Sequence, residues 1–484
     1  MTILAIDAGS SSLRTLLFDT SEGKVKLIPG AIIQRKYHFD TDKDGRATVD
    51  AVFLREMLET CIDDILQHDA AQTIEAVGMA TFVGNLLLLD GNNQALEPLD
   101  TYADTRSAPF VETLANTLDT EALHQRTGAI LNSAYYLPKL RFYDYPHNAE
   151  PFVLKFSDFA TYCYQEWFGR PVPMSYSIAS WSGILNRENL DWDEESLKAV
   201  KWSKSMFPDL ADFTQFQQGL SEKYSQRWQL LADVPFYLAV GDGAAAQVGS
   251  GALTENTATL TIGTTSAIRT VHKDEIPTVP GGGWSYRIDA RHHLTGGALS
   301  EGGNIFAWAR DTLKLDSLDI EAELKQREPG THGLTVLPLL NGERSPGWRS
   351  DAKGTIHGLR LSTTAMDILH ALLESVALRL ALIAEQLGLD TDVRMMAAGG
   401  ALHQSPAWAQ MIANALGREV LVIEEAEVTA AGVAQMVHSA HTTNNITGIL
   451  HENMTIFTPE TNYSVTFKAL LARQQHLYTL TEDL

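Results

Sequence analysis

Apolar and polar positions fall into blocks along this chain, and the blocks carry two different periods. Thr2–Asp7 and Leu13–Asp19 are short apolar runs bounded by Gly9-Ser10-Ser11-Ser12 and Glu22-Gly23, which predicts two strands and the turns that end them. Leu54, Met57, Leu58, Cys61, Ile62, Ile65 and Leu66 then recur at helical spacing, predicting an amphipathic helix. Strands follow at Ile74–Ala80 and Asn85–Asp90, the second closed by Gly91-Asn92-Asn93. From about residue 100 to 230 the chain is aromatic-rich with mixed periodicity, and reads as an insertion with several helices that shapes a pocket. Phe236–Val240 is a further strand. It runs into Gly241-Asp242-Gly243, after which the small residues of 244–252 predict a closely packed helix. Strand-turn-strand begins again at Thr257, Met366–Leu387 is a long core helix stopped by Gly388, and Val393–Met396 is a strand. Strands alternating with helices in both halves give an α/β protein.

Two of the predicted hairpins spell nearly the same thing. One is Ile6-Asp7-Ala8-Gly9-Ser10-Ser11-Ser12-Leu13-Arg14-Thr15, the other Ile262-Gly263-Thr264-Thr265-Ser266-Ala267-Ile268-Arg269-Thr270. Allowing one-residue adjustments, each is an apolar strand, a glycine, three hydroxyl residues, an apolar residue, Arg and Thr. Small residues let backbone N–H groups approach an anion closely, and hydroxyls add donors. A single Gly/Ser turn is ordinary, since such turns mostly just join two strands. Its repetition predicts a duplicated architecture, with one phosphate-binding hairpin per domain and a nucleotide between them. At 484 residues the chain exceeds one core, and the boundary is placed near residue 250.

Charge narrows the partners. Lys+Arg 37 against Asp+Glu 60 gives a net charge of −23, which argues against nucleic acid or an anionic membrane but allows a locally positive cleft. No uncharged apolar run is long enough to cross a bilayer, and Met1–Ile6 has no basic lead, so a cytoplasmic protein is expected. Cys61 falls on the apolar face of its helix, pointing to a buried thiol rather than a disulfide.

Several residues carry candidate chemistry. Asp7 ends a strand before the first glycine turn, where a carboxylate can hold Mg²⁺ through waters beside cradled phosphates. Arg14 could contact a phosphate. Asp242, between a strand and an Ala/Gly-rich helix, is the right type and place for a general base acting on a hydroxyl, although it could simply cap the helix. Gly241, Gly243 and Ala246 formally match G-x-G-x-x-A, so a nicotinamide oxidoreductase is weighed; the acidic residue expected about twenty positions on is missing. No Walker-type loop and no G-x-S-x-G elbow occurs. Two glycine clusters, 296–304 and 399–400, offer bare backbone for a flat adenine. Asp104 and Arg106 would on their own form a solvated charge pair, and His292-His293 reads as an exposed strand pair rather than a zinc site.

Taken together, these motifs resemble the FGGY carbohydrate kinases, members of the actin-like ATPase superfamily, from residue 2 to about residue 440. Asp7, Gly9, Ser10, Ser12 and Arg14 meet the family's first phosphate motif, with Ser11 inside it; Gly263, Thr264 and Thr265 meet the second. The family's base falls on Asp242. Its sugar-contacting W-x-D-x-R appears as Tyr102-Ala103-Asp104-Thr105-Arg106. Gly303 and Ala307 resemble nucleotide-side positions before Trp308, and Gly399, Gly400 and, more loosely, Ser405 match the adenine segment. Gly354–Leu359, Asp367-Ile368, Ala371, Leu373 and Glu374 are close to the C-terminal signature. Leu190–Glu194 and Asn341–Trp348 look most like gluconokinase-type members, though xylulokinases share much of this.

The resemblance implies two actin-like (ribonuclease H-like) ATPase domains flanking a cleft. They would be residues 1–248, with the insertion at about 100–230, and residues 249–484. It implies ATP and Mg²⁺ as cofactors and a small sugar or sugar acid as substrate, gluconate favoured over a ketopentose, and it leaves room for a homodimer. Asp104 would accept from sugar hydroxyls, and Arg106 would support it or meet a substrate carboxylate. Tyr102 replaces the usual Trp, and Phe82-Val83-Gly84-Asn85 stands where many members carry His, so Asn85 is counted with the substrate residues. A chaperone- or actin-like ATPase without a sugar site is the competing class within the superfamily.

Overall fold

The computed structural model describes residues 1–143, 155–315, 319–443 and 445–481; part of the expected insertion, 144–154, lies outside the described residues. Two seven-stranded sheets form the frame. The first uses β1 (Thr2–Ala8), β2 (Ser12–Asp19), β3 (Lys26–Lys36), β4 (Ile74–Thr81), β5 (Phe216–Gln217), β6 (Phe236–Tyr237) and β7 (Val240–Gly241). The second uses β8 (Thr257–Ile262), β9 (Ser266–Lys273), β10 (Trp284–Arg287), β11 (His292–Leu299), β12 (Arg394–Ala398), β13 (Val420–Ile423) and β14 (Met454–Phe457).

Their pairing is duplicated. β1 runs antiparallel to β2 and parallel to β4, while β2 pairs antiparallel with β3. In the same way β8 runs antiparallel to β9 and parallel to β12, while β9 pairs antiparallel with β11. The echoed sequences are therefore the first hairpin of each sheet.

Helices fill three layers. α1 (Ala51–Ile65) covers one face of the first sheet, packing Leu54, Leu58, Cys61 and Ile62 on Leu4, Ile6 and Leu17. α2 (Asp242–Gly249) and α6 (Val428–Thr442) lie on the other face, over Ile3, Ala5 and Ala76. α4 (Ala365–Gln386) and α5 (Pro406–Leu416) cover the second sheet at Leu260, Ile262 and Met395, and α3 (Gly303–Leu313) joins them there. β1 is buried along its whole length because both of its faces are covered, which is why it reads as an unbroken apolar run. α6 lies late in the chain yet packs on β1 and β4 of the first sheet. α7 (Ser464–Leu480) closes the second core through Phe467, Leu470 and Leu471.

Most expected elements are present, with three corrections. Phe236–Val240 is two short strands, β6 and β7. His292 and His293 are buried rather than exposed, because β11 is an inner strand between β9 and β10; His292 Nδ1 meets the Asp289 carboxylate at 2.8 Å. Gly296 and Gly297 are strand interior, not an adenine platform. A Cβ on Gly296 would sit 2.6 Å from the Trp284 ring, and one on Gly297 2.9 Å from Ile383. Both cysteines are free and buried. Among the described residues no helix is long and apolar enough to cross a membrane.

Candidate active site

The first hairpin turns tightly: Gly9 N–H donates to Ser12 C=O at 3.0 Å, and the Tyr37 hydroxyl donates to Gly9 C=O at 2.8 Å. Gln34 Nε2 reaches the Ser12 hydroxyl at 3.2 Å, while Ser10 is half-buried and Ser11 exposed at the tip. Antiparallel register sets Asp7 opposite Arg14. Arg14 Nη1 lies 4.0 Å from Asp7 but 2.7 Å from Glu427, the residue before α6. Burial, with Asp242 and Glu427 nearby, pushes the Asp7 carboxyl up to about 7 against the pull of Arg14.

The second turn, Gly263-Thr264-Thr265, is exposed. Gly263 N–H donates to Thr265 C=O at 3.0 Å, and Gly263 C=O accepts from Gly303 N–H at 2.7 Å. The start of α3 thus sits on the turn, and only glycine fits. A Cβ on Gly302 would meet Thr265 backbone at 2.6 Å, and one on Gly303 would meet Gly263 O at 2.9 Å. Gly399 closes on the same hairpin with φ +126, its absent Cβ 2.1 Å from Ile262 O. Gly263–Thr265, Gly303, Gly399 and Gly400 therefore gather at one place, with Ala307 exposed one turn along α3. Ser405 does something else: its hydroxyl donates to Glu321 at 2.8 Å and accepts from Trp408 N–H at 3.3 Å as the cap of α5.

Asp242 is the first residue of α2, and its carboxylate accepts from Gly243 N–H at 2.7 Å. Burial raises its pKa, while Gly243 N–H and the Arg269 charge pull it down. Trp181 packs over this corner: a Cβ on Gly241 would stand 2.9 Å from Trp181 Nε1, and one on Gly243 3.0 Å from its ring. Asp7, Asp242 and Arg269 thus meet where the two sheets face each other.

The expected sugar residues form a rigid neighbour to that corner. Asp104 Oδ2 accepts from Ala47 N–H at 2.9 Å and from Arg106 Nε at 2.9 Å, while Arg106 Nη2 reaches Asp100 at 2.7 Å. Arg106 is thereby held by two carboxylates. Buried Lys139 donates to Gly84 C=O at 2.8 Å and Thr101 C=O at 2.7 Å, tying the 82–85 loop to the 100–106 loop. Tyr102 is 46% exposed and packs edge-on against Phe39. Asn85 is buried; its side chain donates to Phe82 C=O and accepts from Phe159 N–H at 2.8 Å, so it braces the loop rather than presenting its amide outward.

Sequence reasoning assigned nothing to Glu427, Lys139 or Trp181. Their partners lie far away in the chain: Arg14 and Glu427 are 413 positions apart. Arg269 was visible as the echo of Arg14, but its setting beside Asp242 was not.

Two sheets of matched topology, each lending a Gly-hydroxyl hairpin to one cleft, define a two-domain phosphotransferase of actin-like ATPase fold. The N-terminal domain of the FGGY family of carbohydrate kinases matches residues 2–249, and the family's C-terminal domain matches residues 258–440. The chain belongs to this family and is an ATP-dependent carbohydrate kinase. It is 26% identical to a gluconokinase of Bacillus subtilis (strain 168), over 89% of this chain and 86% of that protein. It is 25% identical to a xylulose kinase of Haemophilus influenzae, over 89% of each. A crystal structure of gluconate kinase from Lactobacillus acidophilus has the same fold, with TM-score 0.89 at 23% identity, covering 99% of this chain and 98% of that one.

Proposed function

We propose that this kinase transfers the γ-phosphoryl group of ATP to the terminal hydroxyl of a small sugar acid of the gluconate type. The observation that carries the reading is Asp242, a carboxylate at the head of α2 that lies beside both phosphate hairpins. Its free oxygen is the acceptor for the hydroxyl proton as the phosphoryl group moves in line. Backbone N–H groups of the Gly9–Ser12 and Gly263–Thr265 turns face the terminal phosphates, and Gly302–Gly303 with Gly399–Gly400 bound the nucleotide side. Asp104 and Tyr102 stand on the sugar side, with Arg106 holding Asp104 in place. Closure of the two sheets excludes water from the transfer.

The donor set fits Mg²⁺. Asp7, Asp242 and Glu427 bring three carboxylates near one another, and burial raises the Asp7 pKa against the pull of Arg14. Among the described residues no three side chains form a ready metal cage. That suits an ion held by one carboxylate, waters and phosphates, and Asp7 is the residue that would hold it. Bound there, Mg²⁺ supplies charge neutralisation to the terminal phosphates.

A coupled ADP-release screen with gluconate, xylulose, ribulose and glycerol tests the substrate. Strong selectivity for gluconate is expected. Preference for a ketopentose would overturn the reading, and the xylulose kinase likeness makes that the comparison to run first. Proton chemistry gives a second check. A base works only when deprotonated, so the rate falls as pH drops through its folded pKa. Because burial raises that pKa, the acid limb of the kcat profile should lie above the usual carboxylate range of about 4. An acid limb at or below that range would separate Asp242 from the proton transfer.

A further inference from the structure

Arg106, the cation expected to meet a substrate acid, is already bonded to Asp104 and Asp100. Arg14 is paired with Glu427, and Arg379 with Glu343. Arg269 is different. No carboxylate of the described residues stands within ion-pair distance of it: its Nη1 donates to the Thr261 hydroxyl at 3.0 Å, its guanidinium lies 6.0 Å from the Trp284 ring centroid, and its Nε, like those of Arg14 and Arg379, is buried with no hydrogen-bond partner. A Cβ on Gly243 would come 3.7 Å from that Nε, so the free donor looks over the residue next to Asp242. Asp242 attracts Arg269 electrostatically but stands outside ion-pair distance.

A second cation stands nearby. Arg344 is half-buried, has no ion-pair partner among the described residues, and acts electrostatically on Arg269, Tyr135 and Tyr286. Its position is fixed. Ser345 N–H donates to Ala298 C=O at 2.9 Å, Ala298 N–H donates back to the Ser345 hydroxyl at 3.1 Å, and Trp348 Nε1 reaches Gly282 C=O at 2.8 Å. This pins the Arg344 loop to β11, whose Gly296 pairs with Arg269 across the sheet. Gly296 has no side chain, so the Trp284 ring lies across it beside Arg269. The other buried arginines without a carboxylate partner among the described residues, Arg187, Arg287 and Arg418, are held by backbone carbonyls and are not comparable.

A guanidinium shielded from water with neither a carboxylate partner nor carbonyls for all its donors is a favourable place for an anion once the site is filled. Guanidinium also suits the planar, two-oxygen geometry of a carboxylate. We infer that Arg269 and Arg344 form the seat for the carboxylate of a sugar-acid acceptor, whose far hydroxyl lies at Asp242. The inference rests on the sugar-acid reading above. It places acid selectivity on the second domain rather than on Arg106, with the Trp181–Tyr286–Trp284 stack as the floor.

The test uses the full chain and the variants Arg269→Gln, Arg344→Gln, Arg269→Lys and Arg344→Lys, with folding checked by circular dichroism. Gluconate and its neutral reduced analogue sorbitol are titrated without nucleotide against tryptophan fluorescence, and kcat and KM are measured for gluconate and for ATP. Each Gln variant should weaken gluconate binding by about 10- to 100-fold, as expected for loss of a hydrogen bond to a charged group. Sorbitol binding and the KM for ATP should stay unchanged, and Lys should restore part of the gluconate affinity. A rise in the KM for ATP, with all acceptors affected alike, would assign the anion to the donor's phosphates and overturn the seat. Unchanged gluconate affinity in folded Arg344→Gln and Arg269→Gln would also overturn it while leaving the sugar-acid reading intact. A wild-type enzyme that prefers a neutral ketopentose would overturn both.

Discussion

Asp242→Asn should lower kcat by roughly a hundred- to ten-thousandfold, the range for loss of a general base. The substitution keeps the size of the side chain and an oxygen for the Gly243 N–H, now 2.7 Å from the carboxylate, so the head of α2 should not move. What it removes is an oxygen able to take the hydroxyl proton. The KM for ATP should change little, because the proposed arrangement gives the donor's phosphates to the two hairpins rather than to this side chain. Coupled ADP release at saturating ATP and acceptor reads the effect directly. Near-normal turnover would remove Asp242 from proton transfer and leave it as the helix-initiating residue its position also allows.

The second large effect is structural. α2 and α6 touch backbone to backbone between the sheets: a Cβ on Gly249 would lie 1.9 Å from Val428 O, and one on Gly432 would lie 1.9 Å from Ala245 O. No rotamer relieves a clash with a carbonyl, so the helices must separate. Gly432→Val should therefore destabilise the protein by about 3 kcal/mol, the upper part of the usual overpacking range. Activity should fall with stability, because α2 begins at Asp242 and α6 follows Glu427, the partner of Arg14. Thermal unfolding beside Gly263→Ala makes the comparison fair, since a Cβ on Gly263 meets nothing within 4 Å. Equal midpoints for the two variants would show that the helix contact does not limit stability.

These results draw on different kinds of information. The strands around Gly9–Ser12 and Gly263–Thr265, the helix Ala51–Ile65 and the long helix Ala365–Gln386 were legible from periodicity, because burial on one face selects side chains at fixed local spacing. The placement of Asp7, Asp242 and the echoed turns was legible for the same local reason: a strand end, a glycine turn and a helix start adjoin in sequence. Asn85 and Ser405 show the limit. Each sits in the expected stretch, but packing turns Asn85 to Phe82 and Phe159, and Ser405 to Glu321 and Trp408. His292 and His293 failed likewise, because polar residues on a strand predict exposure only when one face is wet.

What the sequence by itself determined is the repeated hairpin, the α/β order and membership in a family of carbohydrate kinases. Only the tertiary structure decided how the two copies differ. Arg14 is neutralised by Glu427, a residue 413 positions away, whereas its echo Arg269 is folded against Trp284 near Asp242 with no carboxylate of the described residues in ion-pair distance. Local spacing sets which side chains a segment offers, but charge pairing depends on what is packed within a few ångströms, and that is fixed only once distant segments meet.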